Sequence, residues 1–271
     1  MAFVFMRDLV HRYISLWGSF FQNSLTVDME FKANFLGGLF VDIVYYGSKF
    51  FFFTVIYSYV DALGVFSKED VMIFLVVAFL ADTIYMFFFS GNVFHLNHLM
   101  VTGDLDYYLL KPVNSQFIVS FRKVKSYAIV SLIILSALLF MQIKSYSSPI
   151  PPINVIVFIV SFLMGTLLWY CVDFMIASTC FWYKNFSVSG WLSSELTKYS
   201  RRPDSIYSGV LRKLLFSFFP MAMISSLPAR MLIFGPDYYL LISQFIITAV
   251  ALLITVYVWN RGLIRYDSAS S

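Results

Sequence analysis

Four ionisable side chains stand inside long apolar stretches of the chain: Asp42, Lys49, Asp82 and Asp173. Charge at that depth in hydrocarbon is costly, and it usually faces a bundle interior, a cavity or a partner. Three carboxylates in a membrane domain can pass protons along a relay or line a polar path. They can equally be buried charges satisfied by Tyr45, Tyr46 or neighbouring helices. Asp42 and Lys49 are seven residues apart, so on a helix they share a face but lie about 10 Å apart along its axis, too far for a direct pair. His95 and His98, at i, i+3, could both reach a metal ion. Only Asp104 accompanies them at workable spacing, and the ordinary role of such histidines is interfacial hydrogen bonding. Cys171 and Cys180 project from opposite sides of one helix and read as small apolar core residues, not a disulfide.

No catalytic constellation accompanies these groups. The stretch GSKF at 47–50 lacks the spacing and order of a phosphate-binding loop. There is no nucleophile elbow, zinc-protease motif or dinucleotide fingerprint. If the chain performs energy-driven work, its nucleotide site belongs to another subunit. The segment GDLDYYLLKPVN (103–114) is the place where another subunit could act. Gly103 is conformationally permissive, Asp104 is a good N-cap, and Asp106 favours the positive end of a helix. Leu105, Tyr108 and Leu109 share a face by their spacing. Lys111 suits a helix C-terminus, and Pro112 disfavours helix at the residue before it. The expected product is a helix of one or two turns whose apolar face, with Tyr107 and Leu110 around it, docks on a protein partner or lies on lipid headgroups.

The elements that must position these residues follow from composition. The 271 residues are 60% hydrophobic and only 13% charged, about half the charge of a soluble domain. An all-α integral membrane protein is expected, with no nucleic-acid partner implied by its net charge of +4. Stretches of about 20 apolar residues predict six spans, at about 34–60, 71–97, 125–144, 153–181, 212–233 and 238–259. Pro220 and Pro228 interrupt the fifth, so its outer half reads as a re-entrant or interfacial piece. With those spans, fifteen of the 19 Lys and Arg fall on one side, Lys184, Lys198, Arg201, Arg202, Arg212 and Lys213 among them. The positive-inside rule then makes both termini cytoplasmic. Val10, Ile14, Trp17, Phe21 and Leu25 form an apolar stripe, so residues 1–32 are expected as an amphipathic interfacial helix ahead of a membrane domain over 33–271. Arg7, Asp8, His11 and Arg12 come too early for a secretory signal peptide.

Three stretches carry a resemblance. GDLDYYLLKP (103–112) resembles the loop between the second and third spans of the ABC-2 family transporter permeases. RRPDSIYSGVLRKLLFSFFPMAMISSLPARMLIFG (201–235) resembles that family's fifth-span region, and WNRGLIRYDSASS (259–271) its terminal signature. The resemblance covers about 30–271 and implies a six-span exporter subunit of a bacterial cytoplasmic membrane. It also implies a second permease copy or paralogue, and two cytoplasmic ATPase subunits that hold ATP and Mg. Residues 104–112 would be the coupling helix seated on an ATPase. The competing expectation is an ion- or proton-coupled secondary carrier using Asp42, Asp82 and Asp173; a scaffold or intramembrane enzyme has less in its favour. The substrate does not follow from the resemblance.

Overall fold

The inward and outward faces of the last long helix, Tyr238–Arg265, show what solvent this protein folds in. Its buried stripe is Gln244, Thr248, Ala251, Thr255, Trp259 and Gly262, while Phe245, Ile246, Leu253, Ile254 and Val256 are exposed. Polar and small residues inside with large aliphatic residues outside is the packing of helices in lipid, where tails are as apolar as leucine. The computed structural model describes residues 2–183 and 188–266. Among them, five helices are long and apolar enough to cross a membrane: Lys32–Ile56, Lys68–Thr102, Ala128–Ser145, Pro152–Phe181 and Tyr238–Arg265. Five of the six predicted spans thus have a long helix. An N-terminal helix, Ala2–Glu30, precedes them.

The helices run between two ends. One carries GDLDYYLLKP; the other carries a two-stranded hairpin, Ala62–Leu63 against Phe66–Ser67. Ser67 caps the next helix reciprocally: its hydroxyl accepts from the Asp70 N–H, and the Asp70 carboxylate accepts from the Ser67 N–H at 2.8 Å. That second long helix is the hub. Between Asp70 and Thr83 nearly every side chain is buried, because the third and fourth long helices and the chain's later segments pack around it. A π turn, Met86–Ser90, interrupts it before it resumes toward Thr102.

The fifth predicted span, 212–233, is not one helix. The segment breaks into Gly209–Leu215, a 3-10 turn Met221–Met223 and Ser226–Ile233. Pro220 has no N–H to continue a helix and starts the 3-10 turn, whereas Pro228 sits in the first turn of the last piece, where no donor is needed. The turn reaches the bundle interior: the Gln244 amide donates to the Met223 carbonyl at 2.9 Å. Gly165 permits this approach, since a Cβ there would stand 2.7 Å from the Ile224 carbonyl oxygen and 2.8 Å from that of Met223. The chain then climbs back to the hairpin end, where Asn154 donates to the Leu232 carbonyl. Irregular backbone at this depth is tolerated because residues 221–233 are buried in protein.

A short polar helix, Ser189–Ser200, leads the chain into this broken segment and runs toward the hairpin end. Gly190 lies beside the Phe94 ring, near the GDLDYYLLKP end. One turn on, the Ser193 hydroxyl donates to Asp173 at 2.7 Å. Arg201 reaches Asp82, and the Ser205 hydroxyl donates to the Leu63 carbonyl of the hairpin at 2.7 Å. Lys198, Arg201, Arg202, Arg212 and Lys213 are therefore not on the side expected from sequence. The first three lie on this helix or just after it, and Arg212 and Lys213 lie toward the hairpin. A twelve-residue helix is only about 18 Å long, and its polarity excludes it from any hydropathy window of about 20 residues.

Candidate functional site

The short helix of the sequence motif forms at Leu105–Leu109, and Gly103 before it is left-handed at φ 79°. Two local expectations change. Asp104 does not cap the helix; its carboxylate accepts from the Thr102 hydroxyl at 2.8 Å. The apolar face is turned inward: Leu105 and Tyr108 are buried and Leu109 is half-buried in the chain itself, with the Arg122 guanidinium 4.8 Å over the Tyr108 ring. What faces out is Tyr107, 62% exposed, and Leu110, 85% exposed, together with Lys111 and Pro112. Lys111 Nζ donates to the Tyr107 hydroxyl at 3.1 Å. That bond and the ammonium charge lower the Tyr107 pKa.

Both chain ends brace this loop. Arg12 of the N-terminal helix donates to the Pro112 carbonyl at 2.8 Å, and the Asn114 N–H donates to the Tyr13 hydroxyl at 3.2 Å. Further along that helix, Asp28 accepts from the Ser126 N–H and hydroxyl, and Trp17 and Phe21 pack on Phe87. Of the rest of the predicted stripe, Val10 and Ile14 are exposed and Leu25 is half-buried. From the other terminus, Trp259 Nε1 donates to the Ser115 hydroxyl at 3.3 Å. Burial and the neighbouring Asp106 carboxylate push the Tyr266 phenol up to about 12. Residues 267–271 of the terminal signature, and Lys184, lie outside the described residues.

The interior carboxylates are buried and separately partnered. Asp42 accepts from the Ser131 hydroxyl at 2.7 Å. Asp82 forms an ion pair with Arg201 at 2.7 Å and accepts from the Tyr46 hydroxyl at 3.4 Å. Asp173 accepts from Trp169 Nε1 at 3.1 Å and from Ser193. Lys49 is exposed and reaches none of them; its ammonium lies 5.5 Å over the Tyr45 ring. His95 and His98 pack with ring centroids 4.8 Å apart and planes tilted by 38°, and among the described residues no group of three His, Cys, Asp or Glu is placed to hold a metal. Cys171 and Cys180 are buried and unpaired, and Cys180 contacts the Met100 sulfur at 3.0 Å.

Sequence reasoning missed the cations of the polar helix and the residues after it. A cavity of about 730 Å³ lies between the first long helix, the second, and the segment 198–206. Lys49, Lys198, Arg201 and Arg202 line it, together with Tyr45, Phe52, Phe53 and Phe79. Nearer the rim, the fully buried Asp204 carboxylate holds two guanidiniums, Arg212 at 2.9 Å and Arg230 at 2.8 Å. The signal that could have found this helix is Ser193, Thr197 and Ser200. Their i, i+4, i+7 spacing makes a buried polar stripe like that of the last helix.

A family model described as ABC-2 family transporter protein matches residues 43–270. The chain belongs to that family. No curated protein and no solved structure matches it. Membership and the five long apolar helices make this ABC-2 chain a multi-span membrane transporter protein, and no catalytic constellation of its own stands in the described residues.

Proposed function

We propose that this ABC-2 chain is the permease subunit of an ATP-driven exporter in a bacterial cytoplasmic membrane. It pairs with a second copy or a paralogue and is driven by two cytoplasmic ATPase subunits that bind ATP and Mg. Six crossings form the transport path: the five long helices and the polar helix Ser189–Ser200. The GDLDYYLLKP end is cytoplasmic. Nine Lys and Arg of the described residues cluster there, against five at the hairpin end, a bias that still favours this orientation after 212 and 213 change sides.

The observation that carries the coupling role is the combination of a braced back and a bare front at residues 104–112. Leu105 and Tyr108 anchor the helix, and Arg12, Tyr13 and Trp259 tie its flanks to both ends of the chain. Tyr107, Leu110, Lys111 and Pro112 are then free to meet an ATPase. A push on that face moves the N-terminal and last helices with it. Neither neighbouring carboxylate set favours the secondary carrier, because Asp42, Asp82 and Asp173 each hold their own donors.

The test is whether an ABC ATPase subunit co-purifies with the tagged permease from its native membranes. Tyr107→Asp with Leu110→Asp should abolish ATPase capture while the permease elutes as a folded species from gel filtration. Leu105→Asp should instead lower the yield of folded permease. Undiminished capture by the Tyr107/Leu110 double variant would sink the coupling assignment.

A further inference from the structure

The 730 Å³ cavity falls in the size range of small-molecule sites, and its lining has one charge sign. Lys49, Lys198, Arg201 and Arg202 contribute to its wall, and no carboxylate does. Two of the four cations are neutralised from behind, Lys198 by Glu195 and Arg201 by Asp82. Lys49 and Arg202 have no carboxylate partner among the described ion pairs, and both are exposed. The rest of the wall is aromatic and aliphatic, with Phe52, Phe53, Phe79, Ile56 and Leu63. In a chain that is 13% charged, four cations around one apolar cavity are a concentrated feature. Lysine and arginine near membrane depth are costly unless something satisfies them, and a low-dielectric wall strengthens their pull on an anion.

We propose that this cavity binds an amphiphilic organic anion, with its acidic group on Lys49 and Arg202 and its aromatic or aliphatic body against Phe52, Phe53 and Phe79. Arg201 is held by Asp82 and by the Tyr45 hydroxyl at 3.1 Å, so it is fixed on the wall and the anion is left to Lys49 and Arg202. Tyr45 joins the two parts, since its ring lies under Lys49 and its hydroxyl accepts from Arg201. As the substrate class of the permease, this inference rests on the reading above. Binding itself needs no ATPase, so the two can fail independently.

The experiment is equilibrium binding to the purified full chain in phosphatidylcholine nanodiscs, with empty nanodiscs subtracted. The probes are 8-anilinonaphthalene-1-sulfonate as the amphiphilic anion and rhodamine 6G as a cation of comparable bulk. Saturable binding of the sulfonate and none of the rhodamine is expected. Lys49→Glu with Arg202→Glu should weaken sulfonate binding roughly tenfold or more and admit the rhodamine, and both positions are exposed enough to leave the fold intact. Repeating the titration in phosphatidylglycerol nanodiscs separates the sources of the anion. Suppressed sulfonate binding assigns the cavity to a lipid phosphate, and unchanged binding assigns it to a soluble acid. Equal binding of both probes, or a double charge-reversal variant that binds the sulfonate like the parent, overturns the proposal.

Discussion

The last helix, Tyr238–Arg265, and the polar helix, Ser189–Ser200, pack on the same bundle with similar inner faces and different outer ones. Inside, one buries Gln244, Thr248 and Thr255 and the other Ser193, Thr197 and Ser200. Outside, the long helix shows Phe245, Leu253 and Ile254, whereas the short one shows Trp191 together with Ser194, Lys198 and Tyr199. The inner face of a membrane helix follows the protein it packs on, and only the outer face reports the surrounding solvent. The long helix is built to meet lipid. The short one shows a mixed polar and aromatic face, and it and the residues just after it put Lys198, Arg201 and Arg202 on the cavity wall.

The largest effect that would break this comparison is topological, all or nothing. In a background lacking Cys171 and Cys180, a membrane-impermeant maleimide should label Lys213→Cys from the same side as Lys68→Cys. Lys111→Cys should label only from the opposite side. Labelling of Lys213→Cys together with Lys111→Cys would mean that Ser189–Ser200 turns back without crossing. Next in size is the ion cluster that closes the crossing at the hairpin end. Asp204 is fully buried between Arg212 and Arg230, so Asp204→Ala leaves two guanidiniums facing each other. Removing one partner of a buried pair typically costs about 3–5 kcal/mol. The thermal unfolding midpoint in detergent should fall by many degrees, and an unchanged midpoint would refute the structural role assigned to this carboxylate.

These two regions also differ in how much of them could be read beforehand. Tyr238–Arg265 was expected over 238–259, because a run of more than 20 apolar residues has few alternatives in a membrane chain. Ser189–Ser200 falls between the predicted spans, because its stability comes from tertiary partners that no local window contains. Its Ser193 is satisfied by Asp173, twenty residues away, and Arg201 by Asp82, 119 residues away. The motif at 103–112 was legible as a short helix for local reasons: a left-handed Gly103 before it and Pro112 after it. Which of its faces is buried was not legible. Leu105, Tyr108 and Leu109 look like a docking face by spacing alone, and only packing shows that the chain keeps that face for itself. Asp42, Asp82 and Asp173 stood out in sequence as charges needing partners. Their partners, Ser131, Arg201 and Ser193, sit on other elements and carry no local mark.

A charge placed on each outer face sharpens the contrast. Leu253 is 72% exposed toward the expected lipid, and Leu253→Lys should cost about 2.5–3.5 kcal/mol on the membrane-insertion scale. Ser194→Lys, on the outer face of the short helix, should cost close to nothing if that face meets an aqueous cavity. The two variants are compared by folded yield in membranes. Equal losses would place both faces in the same solvent and remove the reason for assigning Ser189–Ser200 to the path.

The smallest effect compares the inner faces. The Ser193 hydroxyl donates to the buried Asp173 carboxylate at 2.7 Å, whereas the Thr248 hydroxyl is buried with no protein partner among the described residues. Ser193→Ala therefore removes a charge-assisted hydrogen bond and leaves Asp173 with one donor fewer, a loss of about 1–2 kcal/mol. Thr248→Val removes a hydroxyl that makes no bond and replaces it with a methyl of similar volume. It should be neutral or slightly stabilising, since an unsatisfied buried hydroxyl is itself a cost. Unfolding in detergent by a denaturant series should separate the two variants in that order. The reverse order would show that the polar stripe of the last helix, and not that of the short crossing, holds the bundle together.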